Sequence, residues 1–304
     1  MRKDRRAFLK VSAVAAGTLA AGAAPAADYR RVDNFLQTYG VLVDTVLCVG
    51  CRKCEQACQV ANGPCDRDPE LLLDRSVFDT PRRPDECAYT VVNRFADPDS
   101  PNRSYWIKSQ CMHCNEPACV SACIVGALTK DHRGPVVYDT WECIGCRYCF
   151  LACPFDIPAY EYANPLDPQV RKCTFCHDRF SDRGFRPACV KVCPGGALTF
   201  GARGELIDLA FIRIKQSPDR YIDRIYGQHE VGGTSWMYLT GTDFANTSLP
   251  EVIDRPISDL TETIQHGVFK SFVPPIALYG LLGLIMHSLK DTKREAGKNH
   301  DKQV

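Results

Sequence analysis

The chain runs to 304 residues and sets 37 basic against 36 acidic side chains, a balance that excludes the strongly cationic face of a nucleic-acid binder. Its length allows two domains, or one domain with additions. The 18 cysteines exceed what packing needs in a chain of this size, so their spacing decides what kind of protein this is.

Residues 1–26 read as a twin-arginine signal peptide. Arg5-Arg6 leads into Phe8-Leu9-Lys10, an alanine-rich apolar stretch follows from Val11 to Ala24, and Ala24-Pro25-Ala26 makes a small-residue cleavage site. A short anchor or a basic tail is the competing reading, but the stretch is too short and too weakly apolar to span well.

The segment from Tyr39 to Thr45 reads as a strand leading into the first of four cysteine quartets, Cys48, Cys51, Cys54 and Cys58. The polar, proline-rich residues from there to about Ser109 read as an insertion covering this first run, with a strand-like patch from Tyr89 to Phe95. Cys65 and Cys87 lie in the insertion outside any quartet, either as two buried thiols or as a disulfide. The second quartet is Cys111, Cys114, Cys119 and Cys123. Ala127 to Lys130 and Pro135 to Thr140 then read as a short hairpin. The third quartet is Cys143, Cys146, Cys149 and Cys153, followed by Pro154. The fourth is Cys173, Cys176, Cys189 and Cys193, with a loop over His177 to Ala188.

The third run is the ligand pattern of a bacterial-type [4Fe–4S] ferredoxin. A cysteine at every third residue wraps three thiolates around one face of a cubane, while the fourth points away and reaches a second cluster. The same outline in every quartet suggests duplication of a small ferredoxin unit. A zinc site needs two ligand pairs and fits this spacing poorly. A metal-free, disulfide-bonded secreted binding module is the reading from another class, but such frameworks scatter their cysteines. Which run donates the fourth ligand to which cluster stays open, because the gaps from Cys123 to Cys143 and from Cys153 to Cys173 are equal.

After Gly201, Glu205 to Gln216 reads as an amphipathic helix and Trp236 to Thr240 as a strand, with the glycines of Tyr226 to Thr234 as turn formers. His229 reads as a surface residue. From Val268 to Leu289 the chain is mostly apolar, near the length of about 20 residues that a bilayer requires. Lys290, Lys293, Arg294 and Lys298 follow, which places the tail in the cytoplasm and the cysteine segment outside. His287 reads as a packing or snorkelling residue. No separate catalytic constellation and no nucleotide loop is present in the sequence.

The leader, the order of the quartets and several local segments together carry a resemblance. The segments are Cys48-Val49-Gly50-Cys51, Gln110-Cys111-Met112-His113-Cys114, Cys143 to Pro154, Tyr226-Gly227 with Glu230-Val231-Gly232-Gly233-Thr234, Thr240-Gly241 and Thr263-Ile264-Gln265-His266. The chain resembles the periplasmic four-cluster iron–sulfur subunits of membrane-bound respiratory enzymes, of the hydrogenase-2 and formate dehydrogenase types. Gln59 and Ile124 depart from the family, standing where a proline often follows the fourth cysteine.

The resemblance implies an α+β fold of two interleaved dicluster-ferredoxin-like domains with an insertion, plus a C-terminal transmembrane helix. The implied divisions are 1–26 signal, 27–105 first cluster motif with insertion, 106–165 inner dicluster domain and 166–203 fourth motif, completing the outer dicluster with 40–65. A periplasmic extension at 204–265, a transmembrane helix at 266–290 and a cytoplasmic tail at 291–304 follow. The outer runs exchange ligands in this family, as do the inner runs. Four [4Fe–4S] clusters would therefore take Cys48, Cys51, Cys54 with Cys193; Cys58 with Cys173, Cys176, Cys189; Cys111, Cys114, Cys119 with Cys153; and Cys123 with Cys143, Cys146, Cys149. The implied role is electron transfer rather than catalysis. Implied partners are a [NiFe] hydrogenase subunit or a molybdopterin or tungstopterin enzyme, an integral membrane quinone-binding subunit, and membrane lipid.

Overall fold

Val41, Leu42 and Val43 form an unbroken apolar run, the pattern of a strand buried on both faces. The computed structural model describes residues 34–63, 65, 74–98, 100–164, 168–182, 184–258, 279–284 and 287. In it this run lies in β1 (Tyr39–Asp44), the middle strand of a three-stranded sheet. β8 (Leu198–Ala202) pairs with it antiparallel, Tyr39 opposite Ala202, and β9 (Trp236–Leu239) pairs parallel, Val41 opposite Trp236.

Successive side chains of each strand take opposite faces. One face meets helix α5 (Arg203–Gln216), whose Leu206, Ile207, Ala210 and Ile214 recur at helical spacing and pack with Leu42, Met237 and Leu239. Burial of such aliphatic side chains contributes about 1.5–3 kcal/mol each. Fully buried Asp44 pins the helix from the end of β1: Arg213 Nη1 and Tyr221 Oη each donate to its Oδ2 at 2.8 Å. From the other face, Val43 lines a cavity among the cysteines, and Trp236 meets the ring of Phe175 at 5.9 Å.

The insertion holds more structure than its polar composition suggests. β2 (Thr90–Asp97) pairs antiparallel with β3 (Ser100–Gln110), an eleven-residue strand absent from the sequence reading. Tyr105 and Ile107 are buried there, but Trp106 between them breaks the polar alternation that would mark a strand. The ladder also brings Cys65 and Cys87 together as a disulfide, Cα to Cα 5.0 Å. Buried Glu55 ties the insertion to the first run. Arg52 Nη2 and Arg82 Nη2 donate to opposite oxygens of Glu55 at 2.9 and 2.8 Å, and the Val92 N–H donates to Glu55 Oε1 at 2.7 Å.

The expected hairpin is β4 (Leu128–Lys130) against β5 (Val136–Tyr138), and a further small one pairs β6 (Ala159–Tyr160) with β7 (Val170–Arg171). Each cysteine run carries a short helix: α1 (Lys53–Asn62), α2 (Ala118–Ser121), α3 (Tyr148–Ala152) and α4 (Ala188–Lys191). Residues up to Pro256 form one unit, and those from Ile257 another. In the second, Tyr279–Leu284 and His287 are helical, and among the described residues no helix is long and apolar enough to cross a membrane. The expected signal peptide at 1–26, most of the expected span at 266–290 and the tail at 291–304 lie outside the described residues.

Candidate metal centres

All four runs turn by one device. The residue just before the second cysteine has positive φ in every case: Gly50 at 63°, His113 at 48°, Gly145 at 68° and Phe175 at 59°. The corner folds the loop back on its first cysteine, and the Gly145 and Phe175 N–H groups lie 3.5 and 3.4 Å from Cys143 Sγ and Cys173 Sγ. Runs one and three then use a second left-handed residue, Arg52 or Arg147, both at φ 60°, to start the helix. Runs two and four start it instead from Pro117 and Pro187, within the repeated sequence Pro-Ala-Cys-Val. The third cysteine of every run stands in the first turn of its helix: Cys54, Cys119, Cys149 and Cys189. Glycine tolerates the corner freely, whereas His113 and Phe175 sit there against their preference. They are held by each other, ring to ring at 5.1 Å, and by a 2.9 Å bond from the Val136 N–H to His113 Nδ1.

The corners assemble the thiols into neighbouring groups. Cys48, Cys51, Cys54 and Cys193 line one cavity with Val43, Lys108 and Leu198. The Cys58 thiol feels Cys189 and Cys176, and Cys173 feels Cys58. Cys114 feels Cys153, Cys119 and Cys111. Cys149 feels Cys143, Cys123 and Cys146. Electrostatic influence also crosses between groups: Cys54 feels Cys189, Cys173 feels Cys111, and Cys119 feels Cys149.

The donors suit an iron–sulfur cubane. Burial pushes the thiols up, Cys48, Cys149 and Cys153 to about 11 and Cys58 to about 12, so they hold their protons at neutral pH until a metal takes the sulfur. A cubane binds each thiolate at a separate iron, so its ligands need not converge; among the described residues no three His, Cys, Asp or Glu side chains converge on one ion. The sixteen quartet cysteines are free thiols, unlike those of a disulfide scaffold. Asn62 Nδ2 lies 3.4 Å from Cys58 Sγ, a donor of the kind that tunes cluster potentials, and Thr174 Oγ1 holds the same amide through Oδ1 at 3.1 Å. Two lysines lie among the groups: buried Lys172 Nζ donates to the carbonyls of Val136 and Cys173, and half-buried Lys130 Nζ to those of His113 and Gly134. Neither lysine was visible to an argument from cysteine spacing. His229 is exposed and stands apart from the cysteines, as expected of a surface residue.

Residues 103–203 match the family model described as a 4Fe-4S dicluster domain. The hydrogenase-2 operon protein HybA of Escherichia coli O157:H7 is 35% identical over 330 residues, covering 98% of this chain and 99% of its own length. The iron–sulfur subunit of the nitrate-inducible formate dehydrogenase of Escherichia coli K12 is 34% identical over 266 residues, 84% of this chain and 86% of its own. A protein of Nitratidesulfovibrio vulgaris is 48% identical over 253 residues, 82% of this chain and 67% of its own. With four duplicated thiol corners, a dicluster domain and relatives matched almost end to end, the chain belongs to the family of HybA and the formate dehydrogenase iron–sulfur subunits, and [4Fe–4S] clusters are its cofactors.

Proposed function

We propose that the chain is a periplasm-facing, membrane-anchored electron-transfer subunit, working between a [NiFe] hydrogenase catalytic subunit and an integral membrane subunit that reacts with quinone. In this reading the sixteen quartet cysteines hold four clusters in the sets implied by the family, with 106–165 as the inner dicluster unit and the outer unit interleaved around it. The observation that carries it is the gathering of free quartet thiols from different runs, with Cys48, Cys51 and Cys54 sharing one cavity with Cys193. Bound cubanes supply one-electron transfer with little rearrangement. The chain's own part is to fix the groups in order, keep water from the interior ones and set the charge around them. The subunit has no reaction of its own.

The Cys65–Cys87 disulfide supports an oxidising compartment, in agreement with the twin-arginine leader. That route carries folded proteins, so the quartet thiols would receive iron in the reducing cytoplasm before export. The apolar run ending at Leu289, with the lysines beyond it, supports the anchor and its orientation. End-to-end coverage of HybA favours the hydrogenase partner. A molybdopterin or tungstopterin enzyme such as formate dehydrogenase is the second reading, favoured by the match to its iron–sulfur subunit.

The test is anaerobic purification of the full chain from membranes, with iron and sulfide analysis and identification of the co-purifying subunits. The expected result is about sixteen of each per chain, together with a [NiFe] large subunit. A molybdopterin subunit in its place selects the second reading. Iron and sulfide near zero reject both.

A further inference from the structure

Lys108 stands on β3 with only 2% of its surface exposed. Its ammonium donates to Thr90 Oγ1 at 2.7 Å and Gln110 Oε1 at 2.9 Å and lies 4.5 Å from the centre of the Trp236 ring. All three partners are neutral. No carboxylate pairs with Lys108 among the described residues, and nearby Glu55 is already taken by Arg52, Arg82 and the Val92 N–H. A buried ammonium without a counter-charge is expensive and is retained only where something negative compensates it.

The negative groups within reach are thiols. Lys108 lines the cavity of Cys48, Cys51, Cys54 and Cys193. It also acts on Cys58, Cys173 and Cys189 of the neighbouring group. Thiolate-bound clusters are anionic, and reduction adds a further electron to each. Lys130 and Lys172 have another task, since each donates to two main-chain carbonyls. Among the described residues Lys108 binds no main-chain carbonyl.

We infer that Lys108 is the buried counter-cation shared by the two outer cluster sites, Cys48/Cys51/Cys54/Cys193 and Cys58/Cys173/Cys176/Cys189, and that it raises the reduction potentials of both. Its position lets one charge act on both sides of the junction between them. Thr90 and Gln110 from the same hairpin, with the face of Trp236, hold that charge in place. The inference rests on the ligand assignment proposed above.

The test is an EPR-monitored redox titration of the anaerobically purified full chain, with iron analysis, for wild type, Lys108→Met, Lys108→Gln and Lys108→Arg. Met removes the charge; Gln removes it while keeping a polar group for Thr90; Arg keeps it. Two of the four clusters are expected to become at least tenfold harder to reduce in the Met and Gln variants, about 59 mV for one electron. The other two should stay within about threefold, and Arg should hold all four within that range. Iron lost from Met and Gln but retained in Arg also follows from a missing counter-charge. Full iron with four unchanged midpoints in Met and Gln overturns the inference. So does an Arg variant that shifts, or loses iron, as Met does, because shape and not charge would then be what matters. Near-zero iron in the wild type rejects the ligand assignment itself, a distinct result.

Discussion

The thiol groups Cys58/Cys173/Cys176/Cys189 and Cys123/Cys143/Cys146/Cys149 are built from the same corner and the same short helix, yet their surroundings are opposite. In the first, Cys173, Cys176 and Cys189 are buried, and the corner residue Phe175 is enclosed by His113, Phe180, Phe200 and Trp236. In the second, Cys146 is exposed and is surrounded in sequence by Trp141, Ile144, Tyr148 and Leu151, with Trp141 92% and Leu151 78% exposed. A shared corner therefore does not make equal sites. The interior group communicates only through its neighbours, whereas the outward group carries apolar side chains that favour cover by another protein.

The largest effect should come from removing an interior thiol. Cys189→Ala is expected to lower iron from about sixteen to about twelve per chain and stop electron transfer to quinone, with a broad loss of thermal stability. Cys146→Ala should lose the same iron while changing the melting temperature far less. Equal melting losses in calorimetry would erase the distinction between the two regions. Next, replacing Cys65 and Cys87 together by Ser should cost about 3 kcal/mol, the loop-closure value for a bridge of this span. Denaturant titration measures it, and the outward site should keep its iron.

On the outward side, Trp141→Asp with Leu151→Asp should leave iron unchanged but weaken association with the catalytic subunit by about 2 kcal/mol or more. Quantitative co-purification reads this, and undiminished recovery would remove the patch from the interface. The smallest effects concern the corners. Gly50→Ala adds a methyl against the Trp106 ring at φ 63°, while at Gly145 the new methyl meets only the Tyr160 hydroxyl, 2.8 Å away at the tip of a side chain that can turn. Both pay left-handed strain of about 1 kcal/mol or more. Gly50→Ala should cost more by urea denaturation, and a reversed order would show that Trp106 yields.

The candidate ligands stood out in the sequence because a cubane loop is local: in the first and third runs three thiols lie within seven residues, close enough to face one cluster whatever the rest of the chain does. Pairing between runs was not legible, since equal gaps carry no direction; what brings Cys48 and Cys193 to one cavity is the ladder of β1 with β8. The alternatives for Cys65 and Cys87 stayed open for the same reason, because only the folded insertion sets their separation. Alternation exposed β2 but not β3, where Lys108 and Gln110 read as solvent-facing although both are buried. The helix over Glu205 to Gln216 was legible because its apolar residues recur with a regular period, and the structure extends it by only one residue pair, from Arg203.

The placement of β1 between β8 and β9 governs when the protein can be completed. The central strand is among the first parts to leave the ribosome, yet both of its flanking partners are translated only after the last quartet. At elongation rates of about 5–20 residues per second, the early thiols wait on the order of ten seconds for the late ones. A nascent chain cannot close the first cavity in that interval, so metal insertion there must wait until Cys193 and β8 have been made, and a product terminated before them cannot complete this site.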